Sequence, residues 1–227
     1  MGAAPFTPLP PSCHAASGMT PGDRRPIAAR NLAVTRRVAD WLVGRGASAN
    51  GISLAGMVAA MLAGLCLATV AWWPDAARPF WLLGALLVQL RLVANMLDGM
   101  VAIGRGTASR AGELYNEVPD RVSDTAVFVG LGVAAGDVAL GWAAALAAVF
   151  AAYVRAAGKA AGAPNDFRGP GAKQHRMAVV TALAVWCALT PAAWSHGLPV
   201  LALWLVIGLS ILTAWLRLVG IWRALQG

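Results

Sequence analysis

The sequence predicts an all-α integral membrane protein with six transmembrane helices and an N-terminal amphipathic helix on the membrane surface. Two features indicate this fold class. Hydrophobic residues make up 59% of the 227 residues and charged residues only 12%, whereas soluble proteins carry about 25% charged residues. Apolar runs also recur at lengths close to the roughly 20 residues that a helix needs to cross a bilayer.

The chain carries a net charge of +8, and its basic residues gather in segments that flank the apolar runs. The positive-inside rule associates such segments with the cytoplasm. We therefore expect a protein of the cytoplasmic (inner) membrane, with both termini and the turn after the second span facing the cytoplasm. Anionic membrane lipid, and not nucleic acid, is the expected partner for this charge.

The chain divides into three expected parts. Residues 1–22 contain five prolines and no long apolar run, which indicates a disordered tail. Residues 23–46 predict an amphipathic surface helix, with an ordinary solvated helix as the alternative. Residues 47–227 form the membrane domain. Its six spans are expected at about residues 48–73, 79–103, 112–136, 140–161, 177–194 and 198–218.

Two polar stripes follow each other at the end of the second span and the start of the third. Residues three or four apart share a helical face. The first stripe consists of Asn95, Asp98, Gly99 and Ala102, and the second of Gly112, Asn116, Asp120 and Asp124. A carboxylate at the centre of a bilayer costs about 2.5–3.5 kcal/mol, so it indicates a bound cation, a partner or a substrate. Oxygen ligands suit a hard divalent cation such as Mg²⁺ or Mn²⁺.

This block resembles the motif of the CDP-alcohol phosphotransferases, a family of membrane enzymes with the pattern D-x2-D-G-x2-A-R-x8-G-x3-D-x3-D. The matching residues are Asp98, Gly99, Ala102, Gly112 and Asp120. Three positions depart from the pattern, because Asn95 and Asn116 replace aspartates and Ile103 replaces the arginine.

The resemblance implies transfer of a phosphatidyl group from a CDP-linked lipid, such as CDP-diacylglycerol, to an alcohol acceptor with release of CMP, as in phospholipid biosynthesis. It implies that Asp120 is the general base and that Mg²⁺ or Mn²⁺ is the cofactor. The implied metal ligands are Asn95, Asp98, Asn116 and Asp120. The expected substrate-binding residues are Gly99, Ala102, Arg105, Arg110, Gly112, Lys173 and Arg176.

Glu117 is a candidate replacement for a lost carboxylate, because it adjoins Asn116 and precedes Asp120 by three residues. The alternative is an ion pair with Arg121, four residues further on. Arg91 lies inside the second span, and we expect it to pair with a carboxylate of the site, with a lipid phosphate as the alternative.

The glycine-rich loop before the fifth span ends in Lys173 and Arg176. These cations are candidates to bind an anionic acceptor or a lipid head group, or they serve only to set the topology. Gly132 and Gly136 form a small-residue pair that predicts helix packing and leaves a homodimer open. An inactive scaffold for lipid synthesis and a small transporter are the alternative functions.

Overall fold

The computed structural model describes residues 33–106 and 110–226, and the side chains of residues 110–113 lie outside the description. The helices are α1 (Ala33–Gly44), α2 (Ala49–Thr69), α3 (Ala77–Gly104), α4 (Arg110–Ala134), α5 (Val138–Ala160), α6 (Lys173–Leu189) and α7 (Leu198–Gln226). The described residues contain no β-strand, which confirms the all-α prediction. The tail expected over residues 1–22 and the first part of the surface helix expected over 23–46 lie outside the described residues.

Within the described residues, four segments are long and apolar enough to cross a membrane: Ala49–Thr69, Pro74–Gly104, Val138–Ala160 and Ala192–Gln226. Helix α4 is not among them, and charged residues occupy the middle of this helix. Helix α6 has only 17 residues. The described residues therefore contain four candidate spans, and six spans remain a prediction.

The helices pack around α2, α3 and α4. Helix α2 contacts both α3 and α4, α3 also contacts α6, and α5 contacts α4 and α7. The largest buried side chains of this core include Leu67, Phe128, Leu131 and Leu203. Between them lie many buried alanines, because association of helices in lipid depends on close van der Waals packing.

Helices α2 and α4 approach each other through two glycines. A Cβ atom at Gly64 would lie 2.2 Å from the carbonyl oxygen of Ala126, and one at Gly130 would lie 2.1 Å from the carbonyl oxygen of Gly64. Helices α4 and α5 make a similar close approach. A Cβ atom added at Gly132 would lie 2.7 Å from the Cα atom of Gly141 in α5. The packing role predicted for Gly132 is thus confirmed within the chain. Gly136 lies in the turn after α4 with φ 73° and has no neighbour within 4 Å of an added Cβ atom, so the packing role predicted for it is wrong.

Polar caps fix where two of these helices begin. The hydroxyl of Ser48 accepts a hydrogen bond from the Gly51 amide at 3.0 Å at the start of α2. The carboxylate of Asp137 accepts one from the Leu140 amide at 2.8 Å at the start of α5. Such caps satisfy amides that have no partner inside the helix. Ser53, five residues after the cap residue Ser48, lies opposite the motif on α3.

Candidate functional site

The two halves of the motif meet where α3 faces α4. The Asn95 side-chain amide donates to Asn116 Oδ1 at 2.8 Å and to Asp120 Oδ1 at 3.0 Å. Because an ionised carboxylate can only accept, this contact fixes the orientation of the Asn95 amide. Three of the predicted metal-site residues are therefore joined by direct hydrogen bonds.

Asp98 lies one turn after Asn95, and its side chain is buried. Ser53 of α2 donates to Asp98 Oδ2 at 2.6 Å. Within the described residues, Asp98 Oδ1 is buried and has no hydrogen-bond partner. Sequence reasoning missed Ser53, although its position at the motif end of the first span was a usable signal.

Asp120 is surrounded by cations. Arg91 donates to Asp120 Oδ1, and the Lys173 ammonium lies 2.7 Å from the same oxygen. The Arg121 guanidinium lies 3.9 Å from Asp120 Oδ2. The predicted pairing of Arg91 with a site carboxylate is confirmed.

Glu117 is held by two arginines. Its Oε2 atom accepts from Arg121 at 3.1 Å, and its Oε1 atom accepts from Arg155 of α5. Arg155 also stacks on the ring of Phe167, 5.3 Å from its centroid. The predicted pair with Arg121 is confirmed, whereas a metal-ligand role for Glu117 stays a prediction. Sequence reasoning missed Arg155, which sits 38 residues from Glu117.

A further ion pair is more deeply buried than these. Arg176 donates to Asp124 Oδ2 at 2.7 Å, with side chains that are 4% and 1% exposed. Arg176 also donates to the Gly171 carbonyl oxygen. Lys173 and Arg176, in the first turn of α6, thus both pair with carboxylates of α4. Substrate binding by either residue stays a prediction.

A cavity of about 350 Å³ opens beside these residues, and Asn95, Asn116 and Asp120 are in its lining. Its cationic lining residues are Arg121, Arg155, Lys173, Arg176 and Arg217, and its acidic ones are Glu117 and Asp120. Cations therefore outnumber carboxylates by five to two. Charge-assisted hydrogen bonds from arginine and lysine favour an anionic group such as a phosphate.

The loop before α6 is anchored from several sides. Arg217 of α7 donates to the carbonyl oxygens of Arg168 at 3.0 Å and Ala151 at 2.8 Å. Arg168 also forms an ion pair with Asp166 at 2.7 Å. The hydrogen bonds from Arg168 hold the pKa of the Asp166 carboxyl below its usual range. These contacts tie the loop to α5 and α7.

The remaining predicted substrate residues lie around this site or away from it. Gly99 and Ala102 continue the motif face of α3 beyond Asp98. Arg105 donates to the carbonyl oxygens of Gly46 at 2.8 Å and Ala47 at 2.7 Å, so it holds the turn before α2. Arg110 and Gly112 begin α4, in the stretch whose side chains are outside the description. Substrate contacts of these residues stay predictions.

Comparisons with known proteins give relatives named phosphatidylinositol phosphate synthase and one relative named as an inner membrane protein. The chain is 34% identical over 148 residues to the phosphatidylinositol phosphate synthase of Mycobacterium marinum. This alignment covers 62% of each chain. It is 34% identical over 90 residues to the inner membrane protein YnbA of Escherichia coli, covering 39% of this chain and 42% of YnbA. The chain thus spans less than two thirds of these relatives' own length. A scan against models of known protein families found no match.

Solved structures with a similar fold come from Mycobacterium tuberculosis phosphatidylinositol phosphate synthase (PgsA1). The structure with bound CDP-DAG has a TM-score of 0.70 at 24% identity and covers 85% of this chain and 96% of that one. The structure with manganese and citrate has a TM-score of 0.69 at 25% identity. It covers 84% of this chain and 90% of that one.

Long apolar helices around a buried ionic site define an integral membrane protein. In sequence and in fold, the chain is similar to these phosphatidylinositol phosphate synthases.

Proposed function

We propose that this protein transfers a phosphatidyl (substituted phosphate) group from a CDP-linked lipid, CDP-diacylglycerol, to an alcohol acceptor and releases CMP, as a step of phospholipid biosynthesis. One observation carries the proposal: the hydrogen-bonded junction of the motif halves at Asn95, Asn116 and Asp120. The similar PgsA1 structure with CDP-DAG supports the choice of donor. Serine, glycerol phosphate, inositol phosphate and other polyols are the candidate acceptors.

We propose that a divalent cation binds beside Asp98. The described residues contain no group of three or more His, Cys, Asp or Glu side chains placed to hold a metal ion, so the phosphates of the donor would complete its ligands. A buried acceptor without a hydrogen-bond donor is rare, and Asp98 Oδ1 is such an atom within the described residues. Asp98 and Asp120 would hold Mg²⁺ or Mn²⁺ together with amide oxygens of Asn95 and Asn116, and Glu117 is a further candidate ligand. When bound, the metal neutralises charge on the donor phosphates. The PgsA1 structure with manganese supports this cofactor class.

The side chains around Asp120 suggest how the acceptor is activated. Arg91, Asn95 and Lys173 all contact Asp120 Oδ1, which fixes the orientation of the carboxylate. Among the described contacts, Oδ2 accepts no hydrogen bond, and Arg121 is 3.9 Å away. Oδ2 is therefore the proposed base that takes the proton of the attacking hydroxyl.

Cations of the cavity and glycines of the motif would bind the substrates. The predicted contacts are made by Gly99, Ala102, Arg105, Arg110, Gly112, Lys173 and Arg176. Lysine and arginine match phosphate oxygens by charge-assisted hydrogen bonds, and the cationic lining of the cavity gives such donors in excess.

The proposed membrane arrangement has six spanning helices, α2–α7, within a membrane domain over residues 47–227. Helix α1 is proposed to lie on the surface, since Val34, Val38 and Trp41 are exposed and share one helical face. The basic segments favour a cytoplasmic site and cytoplasmic termini. A homodimer remains part of the proposal, although Gly132 packs inside the chain and gives no argument for it.

The test is CMP release by purified protein in lipid nanodiscs with CDP-diacylglycerol and a panel of alcohols. We expect release that requires Mg²⁺ or Mn²⁺ and stops with EDTA. Asp120→Asn should lower the rate about 100-fold or more, as expected for loss of a general base. Asp75→Asn is the matched control, because Asp75 is exposed in the turn before α3, at the other end of that helix from the motif. Full activity of Asp120→Asn would exclude the assigned base.

An inactive scaffold is the second candidate, and the ion pairs of Asp120 with Arg91 and Lys173 favour it. A carboxylate that protein cations already neutralise is stable without a substrate or metal. The absence of CMP release from any acceptor, in protein that binds CDP-diacylglycerol, would support the scaffold. Ion-driven uptake into vesicles would instead support the transporter alternative.

A further inference from the structure

An open groove of about 570 Å³ lies along the last part of α7, outside the cavity beside Asp120. Its lining includes Arg168 of the loop before α6 and Trp215, Gly220 and Arg223 of α7. The cavity beside Asp120 shares no lining residue with it. This feature, called the α7 groove below, is therefore separate from the site of the proposed transfer.

The α7 groove changes from apolar to cationic along the helix. Trp215 and Leu216 are exposed at one end, and Arg223 lies in the last turn of α7. Eight residues separate Trp215 from Arg223, which is about 12 Å at 1.5 Å per residue. A phospholipid has the same order of groups, with acyl chains in the bilayer and a phosphate at its surface. Tryptophan is also enriched at this boundary.

The guanidinium of Arg168 is held in one orientation at the cationic end. Its Nε atom donates to both carboxylate oxygens of Asp166, at 3.0 and 3.1 Å, and its Nη2 atom donates to Asp166 Oδ2 at 2.7 Å. The Asp166 side chain is 9% exposed, whereas that of Arg168 is 69% exposed. The carboxylate thus orients a guanidinium that remains accessible, which reduces the ordering cost of binding a ligand.

Gly220 provides the space for this ion pair on α7. A Cβ atom at Gly220 would lie 2.1 Å from Arg168 Nη2 and 2.8 Å from Asp166 Oδ2. A larger residue would therefore displace the pair from the helix. An arginine that only sets the topology needs no such space, because the positive-inside rule depends on charge and not on position. The contact at Gly220 therefore favours a binding site.

The charges of the α7 groove match one phosphodiester. Arg168 and Arg223 contribute two positive charges and Asp166 contributes one negative charge, so the net charge is +1. The phosphodiester of a phospholipid carries a charge of −1. Arginine donates charge-assisted hydrogen bonds to phosphate oxygens, and the apolar end of the groove is suited to an acyl chain.

We propose that the α7 groove binds one anionic phospholipid, with its phosphate at Arg168 and Arg223 and an acyl chain along Trp215. The lipid is a bound partner here and not a reactant. The inference stands apart from the proposed transfer reaction, because binding in this groove needs neither the CDP-linked donor nor the alcohol acceptor.

The test is lipid binding by the purified protein in detergent, measured by native mass spectrometry. The probes are dioleoyl phosphatidylglycerol and dioleoyl phosphatidylcholine, which have the same acyl chains and differ in net charge. We expect one phosphatidylglycerol to bind about tenfold more tightly than phosphatidylcholine, and Arg168→Gln or Arg223→Gln to weaken its binding about fivefold. Arg78→Gln is the matched arginine control, because Arg78 is exposed at the start of α3, and it should bind like the wild type.

Gly220→Ala tests the position of the guanidinium and leaves every charge in place. The added methyl group should displace Arg168 and weaken phosphatidylglycerol binding as much as Arg168→Gln does. The fold should tolerate it, because the atoms that it meets are the ends of two side chains. Gly208→Ala is the matched control, since an added Cβ atom there has no neighbour within 4 Å. Circular dichroism verifies folding, and Gly220→Ala carries the test if Arg168→Gln does not fold.

Three results would overturn the inference. Equal affinity of the wild type for the two lipids would show that the groove does not select an anionic head group. Equal phosphatidylglycerol binding by Gly220→Ala and Gly208→Ala would show that the arginines act only through overall charge. Displacement of the bound lipid by an equal concentration of glycerol phosphate would indicate a site for a soluble phosphate ester, whereas we expect the lipid to stay bound.

Discussion

At the scale of single residues, the motif is a network of pairs and not a row of free carboxylates. Asp120, Glu117 and Asp124 each pair with at least one arginine or lysine. These partners come from α3, α5 and α6, so three helices contribute positive charge to α4. Asp98 stands apart, because its only described side-chain partner is the hydroxyl of Ser53.

Glu117→Gln tests whether Glu117 is a metal ligand or an ion-pair partner. Both of its oxygens are occupied by Arg121 and Arg155, so we expect an unchanged Mg²⁺ requirement for CMP release. Its side chain is 38% exposed, and loss of the pairs should lower stability by only about 0.5–1 kcal/mol. The measurements are a Mg²⁺ titration of activity and thermal unfolding in detergent.

Asp75→Asn is the control for the loss of a negative charge outside the site. A Glu117→Gln protein that folds and needs far more Mg²⁺ would contradict the ion-pair assignment. It would restore Glu117 as the ligand that compensates for Asn116.

At the scale of helices, α4 is the element that carries both function and packing. Its first half holds the motif carboxylates, and its second half packs against α2 and α5 through Gly130 and Gly132. The hydrophobic half fixes the axis of the helix, and the polar half is positioned as a consequence. A substitution that disturbs the contact of Gly130 with α2 should therefore shift the motif side chains on α4 and lower activity.

Gly130→Ala tests this coupling. The added methyl group would lie 2.1 Å from the Gly64 carbonyl oxygen of α2, so the helices must separate. Overpacking of this kind costs about 1–3 kcal/mol, and we expect a lower unfolding temperature and reduced CMP release. Thermal unfolding and the CMP assay measure both effects.

Gly208→Ala is the matched control, since Gly208 lies within α7 and an added Cβ atom has no neighbour within 4 Å. That substitution should be neutral or slightly stabilising, because alanine favours a helix by about 1 kcal/mol over glycine. Equal unfolding temperatures for the two variants would show that α2 and α4 do not require the close approach.

At the scale of the whole molecule, the proposed topology places the motif and the loop before α6 on one side of the membrane. Ala161 follows α5 on the motif side, and His196 precedes α7 on the other, and both residues are exposed. In a protein whose native cysteines are replaced, we expect Ala161→Cys to react with an impermeant maleimide only from the cytoplasm. His196→Cys should react only from outside.

Labelling of intact cells and of inside-out vesicles provides the measurement, and labelling after detergent lysis verifies that each cysteine is reactive. Reaction of both positions from the same side would refute six spans with both termini inside. It would require α6 to lie within the membrane without crossing it.

The sequence by itself determined the helices and the meeting of the two motif halves. Hydrophobic runs define the long helices, and the 3.6-residue period places Asn95 with Asp98 and Asn116 with Asp120 on single faces. The short basic turn between α3 and α4 then requires those faces to lie close together. The contacts of Asn95 with Asn116 and Asp120 follow from these local rules.

Only the tertiary structure decided which side chains from distant segments contact the motif carboxylates. Ser53, Arg155 and Lys173 reach the motif from α2, α5 and α6, and the Ser53–Asp98 and Arg155–Glu117 contacts span 45 and 38 residues of sequence. Their positions depend on helix crossings, such as that at Gly64 and Gly130, and on the path of the loop before α6. Local periodicity does not encode crossing angles or loop paths, because both arise from packing between distant segments.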